Sequence, residues 1–67
     1  MNYLEYVRDS VLEIEDIKDD GEAAQNSECG LYTEIVRWIA DGSLSGEDAI
    51  LCAKEALKTD DIIFARW

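Results

Sequence analysis

Leu4, Val7, Val11 and Ile14 recur at intervals of three, four and three, the spacing that gathers side chains onto one face of an α-helix. A second row runs through the same stretch: Glu5, Asp9, Glu13, Asp16 and Asp20, at intervals of four, four, three and four. At about 100° per residue these acids form a face of their own, wholly anionic. Arg8 borders it and Lys18 falls elsewhere. The stretch 4–20 is therefore predicted as an amphipathic helix that packs on the rest of the chain with one stripe and turns its carboxylates outward. Asn2 can cap it, with Glu5 at the third helical position in a near capping box, and Gly21 is the expected stop.

This helix is not arranged for stability. Each of the pairs Glu5/Asp9, Asp9/Glu13, Glu13/Asp16 and Asp16/Asp20 costs roughly 0.2–0.5 kcal/mol. Glu15, Asp16, Asp19 and Asp20 also crowd a C-terminus whose dipole favours cations. The combined cost is on the order of 1–3 kcal/mol, against about 5 kcal/mol for a domain near the bottom of the normal stability range.

A second helix is favoured from about Glu22, irregular near Gly30, with Ala23 and Ala24 as strong helix formers; the alternative is a shorter helix capped by Asn26 or Ser27 after a separate turn. Glu28 would intrude on its apolar face. From Leu31 the pattern is firm: Leu31, Ile35, Trp38 and Ile39, flanked by Tyr32 and Val36, make a wide apolar face suited to the core. Asp41-Gly42-Ser43-Leu44 ends this helix, and Ser45 followed by Asp48 is a capping pattern for a third. In that third helix Ala49, Ile50, Ala53, Ala56 and Leu57 form a narrow, alanine-rich face that permits close approach. Lys54 lies outside, and Lys58 suits a last turn. Thr59 or Asp60 can then cap a short fourth helix, Asp61 to Arg66. Its neighbourhood carries Ile62, Ile63, Phe64 and Trp67, which must be buried over the core or against a second copy. The expected architecture is all-α: a single domain, 1–67, with three main helices and a short C-terminal one, and with homodimerisation through that apolar segment.

Composition narrows the partners. The 67 residues hold six Lys plus Arg against sixteen Asp plus Glu, a formal charge of −10, which disfavours nucleic acid and anionic membrane surfaces and favours basic proteins. The 48% hydrophobic content follows helical periods, so the chain is expected to fold rather than remain disordered. Met1 is followed by no basic stretch and apolar core, and no run approaches the roughly 20 residues of a membrane helix, so a cytoplasmic protein is expected. Cys29 and Cys52 stand far apart, and the chain contains no histidine. A zinc cluster and a local redox motif are thus excluded, and buried free thiols are expected.

Candidate chemistry is sparse. The serines at 10, 27, 43 and 45 lack an activating base, and exposed carboxylates lack the desolvation that raises a pKa for acid–base work. Aligning Gly21 with the sixth position of a calcium loop puts Lys18 at a ligand position and Ser27 at the twelfth, so the match fails. Asp41-Gly42-Ser43-Leu44 departs from the Asp-Ser-Leu of acyl carrier proteins by the intervening glycine, and too few residues follow for that family's remaining helices. No enzyme, cofactor or metal is expected.

In size, acidity and helical make-up the whole chain resembles the small acidic proteins with which phages inhibit host defences, the anti-CRISPR and anti-restriction proteins. That resemblance implies stoichiometric blocking of a nucleic-acid channel or subunit interface, in the host cytoplasm. A carboxylate every four residues on a helix gives one charge per about 6 Å, about half the density of a phosphate strand. A second source of charge is therefore needed: Glu15, Asp19 and Glu22, Glu28 and Glu34, or a dimer mate. The candidate partner-binding residues are Glu5, Asp9, Glu13, Asp16, Asp19, Asp20 and Glu22. The alternative is an interaction or oligomerisation module working through Ile62, Ile63, Phe64 and Trp67.

Overall fold

A computed structural model describes residues 2–64. It holds three helices, α1 (Tyr3–Asp16), α2 (Gly21–Ala40) and α3 (Gly46–Phe64), and no strand among the described residues. Each helix packs on both others. Tyr3 and Tyr6 meet Trp38 near the end of α2, so α1 and α2 run antiparallel. Leu4 lies across a cleft from Leu44 and Cys52, which puts the starts of α1 and α3 at the same end of the bundle.

The apolar stripe of α1 behaves as its spacing predicts. Val7, Val11 and Ile14 are buried and Leu4 packs against the core, each burial being worth about 1.5–3 kcal/mol. Asn2 caps the helix, its side-chain oxygen accepting from the Glu5 N–H at 3.0 Å.

The helix nevertheless ends at Asp16, not Asp20. Ile17 forms the C-cap and a short turn follows, in which Asp20 becomes the N-cap of α2 by accepting from the Ala23 N–H at 3.2 Å. A carboxylate is unfavourable at a helix C-terminus and favourable at an N-terminus, so closing α1 early moves Asp20 from the wrong end of one dipole to the right end of the next. Gly21 is accordingly the first residue of α2 rather than the stop of α1.

α2 runs unbroken through Gly30, which faces open space and produces no irregularity. Its core row is Ala24, Glu28, Leu31 and Ile35. Val36 and Ile39, expected in the core face, are exposed. After Ala40, Gly42 takes a positive φ of 84°, while Asp41 accepts from the Ser43 N–H at 2.9 Å. Together they turn the chain so that Leu44 drops into the core.

α3 differs from expectation in two ways. It continues without a break to Phe64, so among the described residues there is no separate fourth helix. Thr59 is buried mid-helix, its hydroxyl 2.8 Å from the Ala56 carbonyl, instead of capping a new start. Lys58 therefore lies short of the last turn and pairs with Glu55 at 3.0 Å. The buried row is also rotated: Cys52, Ala56, Thr59 and Ile63 face inward, while Ile50, Ala53 and Leu57 are exposed. Three small side chains in that inner row let α3 lie close to its neighbours, and that closeness selects a row which hydrophobicity alone passes over.

Candidate acidic binding face

The functional candidate is built on α1. Glu5, Asp9, Glu13 and Asp16 are all exposed and lie on the side of the helix away from Val7, Val11 and Ile14. None of them has an ion-pair partner among the described residues, where the salt bridge found joins Lys58 and Glu55. Asp19 is exposed in the turn beyond α1, and Glu22 is exposed in the first turn of α2. Asp20 is exposed too, but one of its oxygens is committed to the cap. The helical row thus consists of four carboxylates, with Asp19, Asp20 and Glu22 continuing the charge around the corner rather than along one axis.

Two of the expected auxiliary acids are not free to contribute. Glu34 is half-buried and accepts from the Tyr6 hydroxyl at 2.9 Å, and this bond to a carboxylate holds the Tyr6 phenol above its usual range. Glu28 is buried between α2 and α3, where its carboxylate accepts from the hydroxyls of Thr59 and Tyr32. Glu15, exposed near the end of α1, remains available.

One member of this face carries no charge. Leu12 is 60% exposed, with Arg8, Asp9, Glu15 and Asp16 as its neighbours three and four positions away on the helix. An apolar side chain ringed by charges is the usual layout of a small protein interface, an anchor inside a polar rim. The sequence carried the signal, a leucine outside the 4-7-11-14 stripe, but the regularity of the acids obscured it.

The buried cluster beneath is structural in character. Loss of water raises the Glu28 carboxyl above the ordinary glutamate range, nearby Asp60 adds to the rise, and the Thr59 hydrogen bond opposes it. Tyr32 is pushed up to about 12, chiefly by burial, and so keeps its proton and remains a donor. The Thr59 hydroxyl lies between the Glu28 carboxylate and the Ala56 carbonyl.

The remaining polar groups do not assemble a reactive centre. A cleft of about 460 Å³ at the shared end of α1 and α3 is lined by Ser43, Asp48 and Cys52 among others. Burial and the charge of Asp48 push the Cys52 thiol up, away from the thiolate that a nucleophile requires. The Ser43 hydroxyl, and after it the Ser43 backbone N–H that donates to Asp41 in a connecting turn, hold the Asp41 carboxyl below its usual range. Both cysteines are free, Cys52 buried and Cys29, contrary to expectation, exposed. Among the described residues no three carboxylates or thiols converge on a metal position, and no helix is long and apolar enough to cross a membrane.

Of the C-terminal apolar residues, Ile63 lies in the core, Ile62 is half-buried against it and Phe64 is exposed. Arg66 and Trp67 lie outside the described residues. Comparison with known proteins finds no matching family, no similar curated protein and no similar solved structure.

Proposed function

We propose that the protein is a non-enzymatic inhibitor of a nucleic-acid-handling protein, binding basic side chains of its target through the outer face of α1. The observation that carries this reading is the row Glu5, Asp9, Glu13 and Asp16, exposed and without ion-pair partners among the described residues. Three like-charge neighbour pairs remain within the helix, at a cost of roughly 0.6–1.5 kcal/mol together. They add nothing to the stability of the helix, whereas they give a complex with a target rich in Lys and Arg its attraction.

The inhibitor class is the anti-CRISPR or anti-restriction type that the composition resembles. Blocking of a basic channel or interface suits the face better than imitation of a duplex. One row of carboxylates has about half the charge density of a phosphate strand, and Leu12 in its midst has no counterpart in a phosphate backbone.

The test is affinity capture from host lysate with the native chain beside an Asp9→Lys, Glu13→Lys, Asp16→Lys version, eluted with rising salt. Charge-driven binding weakens as the Debye length falls from about 10 Å at 0.1 M to about 3 Å at 1 M. A nucleic-acid-binding protein held by the native chain alone and released at moderate salt supports the reading. A partner held equally by both versions into high salt removes it.

A further inference from the structure

The acidic face leaves a different surface unexplained. Val36, Ile39 and Leu57 at the open seam between α2 and α3, with Ile50 and Phe64 seven positions to either side of Leu57 on α3, are between 42% and 63% exposed. A shallow groove of about 260 Å³ runs there, floored by Tyr32, Ala53 and Ala56 and lined by no residue of α1. On α3 the exposed apolar residues follow a rule: Ile50, Leu57 and Phe64 are seven apart. Residues seven apart lie nearly in line along an α-helix, yet α3 spends its inward face on a different row, Cys52, Ala56, Thr59 and Ile63. Among the described residues the outer row has no partner within the chain.

The pattern also states what would fit. It is symmetric about Leu57, with Ile50 seven positions before and Phe64 seven after. Beside it run Lys54, three before, and Asp61, four after, both exposed and neither in an ion pair among the described residues. A two-fold axis at Leu57 would bring up a second α3 antiparallel to the first. Leu57 would meet Leu57, Ile50 would meet Phe64, and Lys54 of each copy would sit beside Asp61 of the other, twice over. This is the self-complementarity an isologous interface requires, residue i meeting j while j meets i. The overall charge of −10 opposes self-association in general, but least of all here. Arg37 lies beside this seam and Lys54 is exposed on the outer side of α3, while the carboxylate row of α1 lies on a helix that does not line the groove.

The geometry points to a homodimer in which two copies join through the outer rows of α3, antiparallel about Leu57, with Val36 and Ile39 of α2 extending the apolar contact. A stable interface buries roughly 800 Å² per partner, which calls for the flanking charged stems as well as the five apolar side chains. The dimer is independent of the proposed inhibitory role and leaves both acidic faces outward.

Sedimentation equilibrium of the full chain from 1 µM to about 500 µM tests it, with circular dichroism recorded on every variant. The native chain should show a monomer–dimer equilibrium. Leu57→Glu, which sets two like charges face to face at the axis, should keep its helicity and remain monomeric throughout. Leu12→Glu, an equally exposed site on α1, should dimerise as the native chain does. Lys54→Glu should weaken dimerisation at least about tenfold, and Lys54→Glu with Asp61→Lys should restore it to within about threefold, because the exchange rebuilds both ion pairs. A native chain that is monomeric at every concentration overturns the proposal, as does a folded Leu57→Glu chain that still dimerises. Failure of the double exchange to rescue Lys54→Glu overturns the antiparallel arrangement.

Discussion

Thr59 of α3 hydrogen-bonds the buried carboxylate of Glu28 on α2 across 31 residues of sequence. Among the described residues it is the one side-chain hydrogen bond between these two helices for which both residues are buried, and Tyr32 completes it by donating to the same Glu28 oxygen at 3.2 Å. Replacing Thr59 by Val keeps the shape and deletes the donor, leaving a buried acceptor short of a partner, which costs about 1–3 kcal/mol. Chemical denaturation should show that loss for Thr59→Val and a much smaller one for Thr59→Ser, which keeps the hydroxyl.

The same carboxyl makes stability depend on pH in a definite direction. Burial, and to a lesser degree Asp60, hold Glu28 above the ordinary glutamate range in the native state. The folded chain therefore binds this proton more tightly than the unfolded chain. Its stabilising contribution is complete below the unfolded value of about 4.3 and is lost as pH rises through the higher native value. Glu28→Gln, which keeps an acceptor without the charge, should be at least as stable as the native chain at pH 7 and should lack this component of the pH dependence. Denaturation midpoints measured across that window for both chains check it.

Gly30 is a helical residue with nothing within 4 Å of the place a Cβ would occupy. Gly30→Ala should therefore raise stability by about 0.5–1 kcal/mol, the gain in helix propensity with no steric cost. Thermal unfolding measures it. A loss instead would mean that a neighbour approaches this position more closely than the structure describes.

On the proposed reading, substitutions in the α1 row move stability and target binding in opposite senses. Asp16→Lys removes the repulsion from Glu13 and supplies a cation to a last turn that has none. It should add about 0.5–1 kcal/mol to stability while weakening the target complex. Leu12→Ala should leave stability within about 0.5 kcal/mol, as for an ordinary surface substitution, yet weaken the complex as well. A target that binds both variants like the native chain would place its site elsewhere.

How far the sequence could be read varies from helix to helix. α1 was legible because Val7, Val11 and Ile14 alternate with charges at a strict period, so only one face could be buried. α2 and α3 each carry two adjacent apolar rows, and hydrophobicity favours the bulkier one. Packing favoured the other in α3, because Cys52, Ala56 and Thr59 let the helices approach, and it left Ile50 and Leu57 outside with Val36 and Ile39. The boundary at Asp16 was hidden for a different reason. Asp20 fits the spacing of the acidic row, and only the competition between two helix ends reveals that it serves α2. Of the candidate site, the row itself was readable, but Leu12 within it and the withdrawal of Glu28 and Glu34 were not. Those depend on which polar groups meet across helices, which no local pattern records.

On the proposed reading, the outer face of α1 blocks the basic channel in which its target holds nucleic acid, so the two exclude each other. The most direct measurement is competition on the captured target, with a labelled duplex displaced by the native chain and by the Asp9→Lys, Glu13→Lys, Asp16→Lys chain. The account predicts that the native chain and the duplex exclude each other and that the reversed chain fails to displace it. A stable ternary complex of target, duplex and native chain, or displacement by the reversed chain at the same concentration, would contradict it.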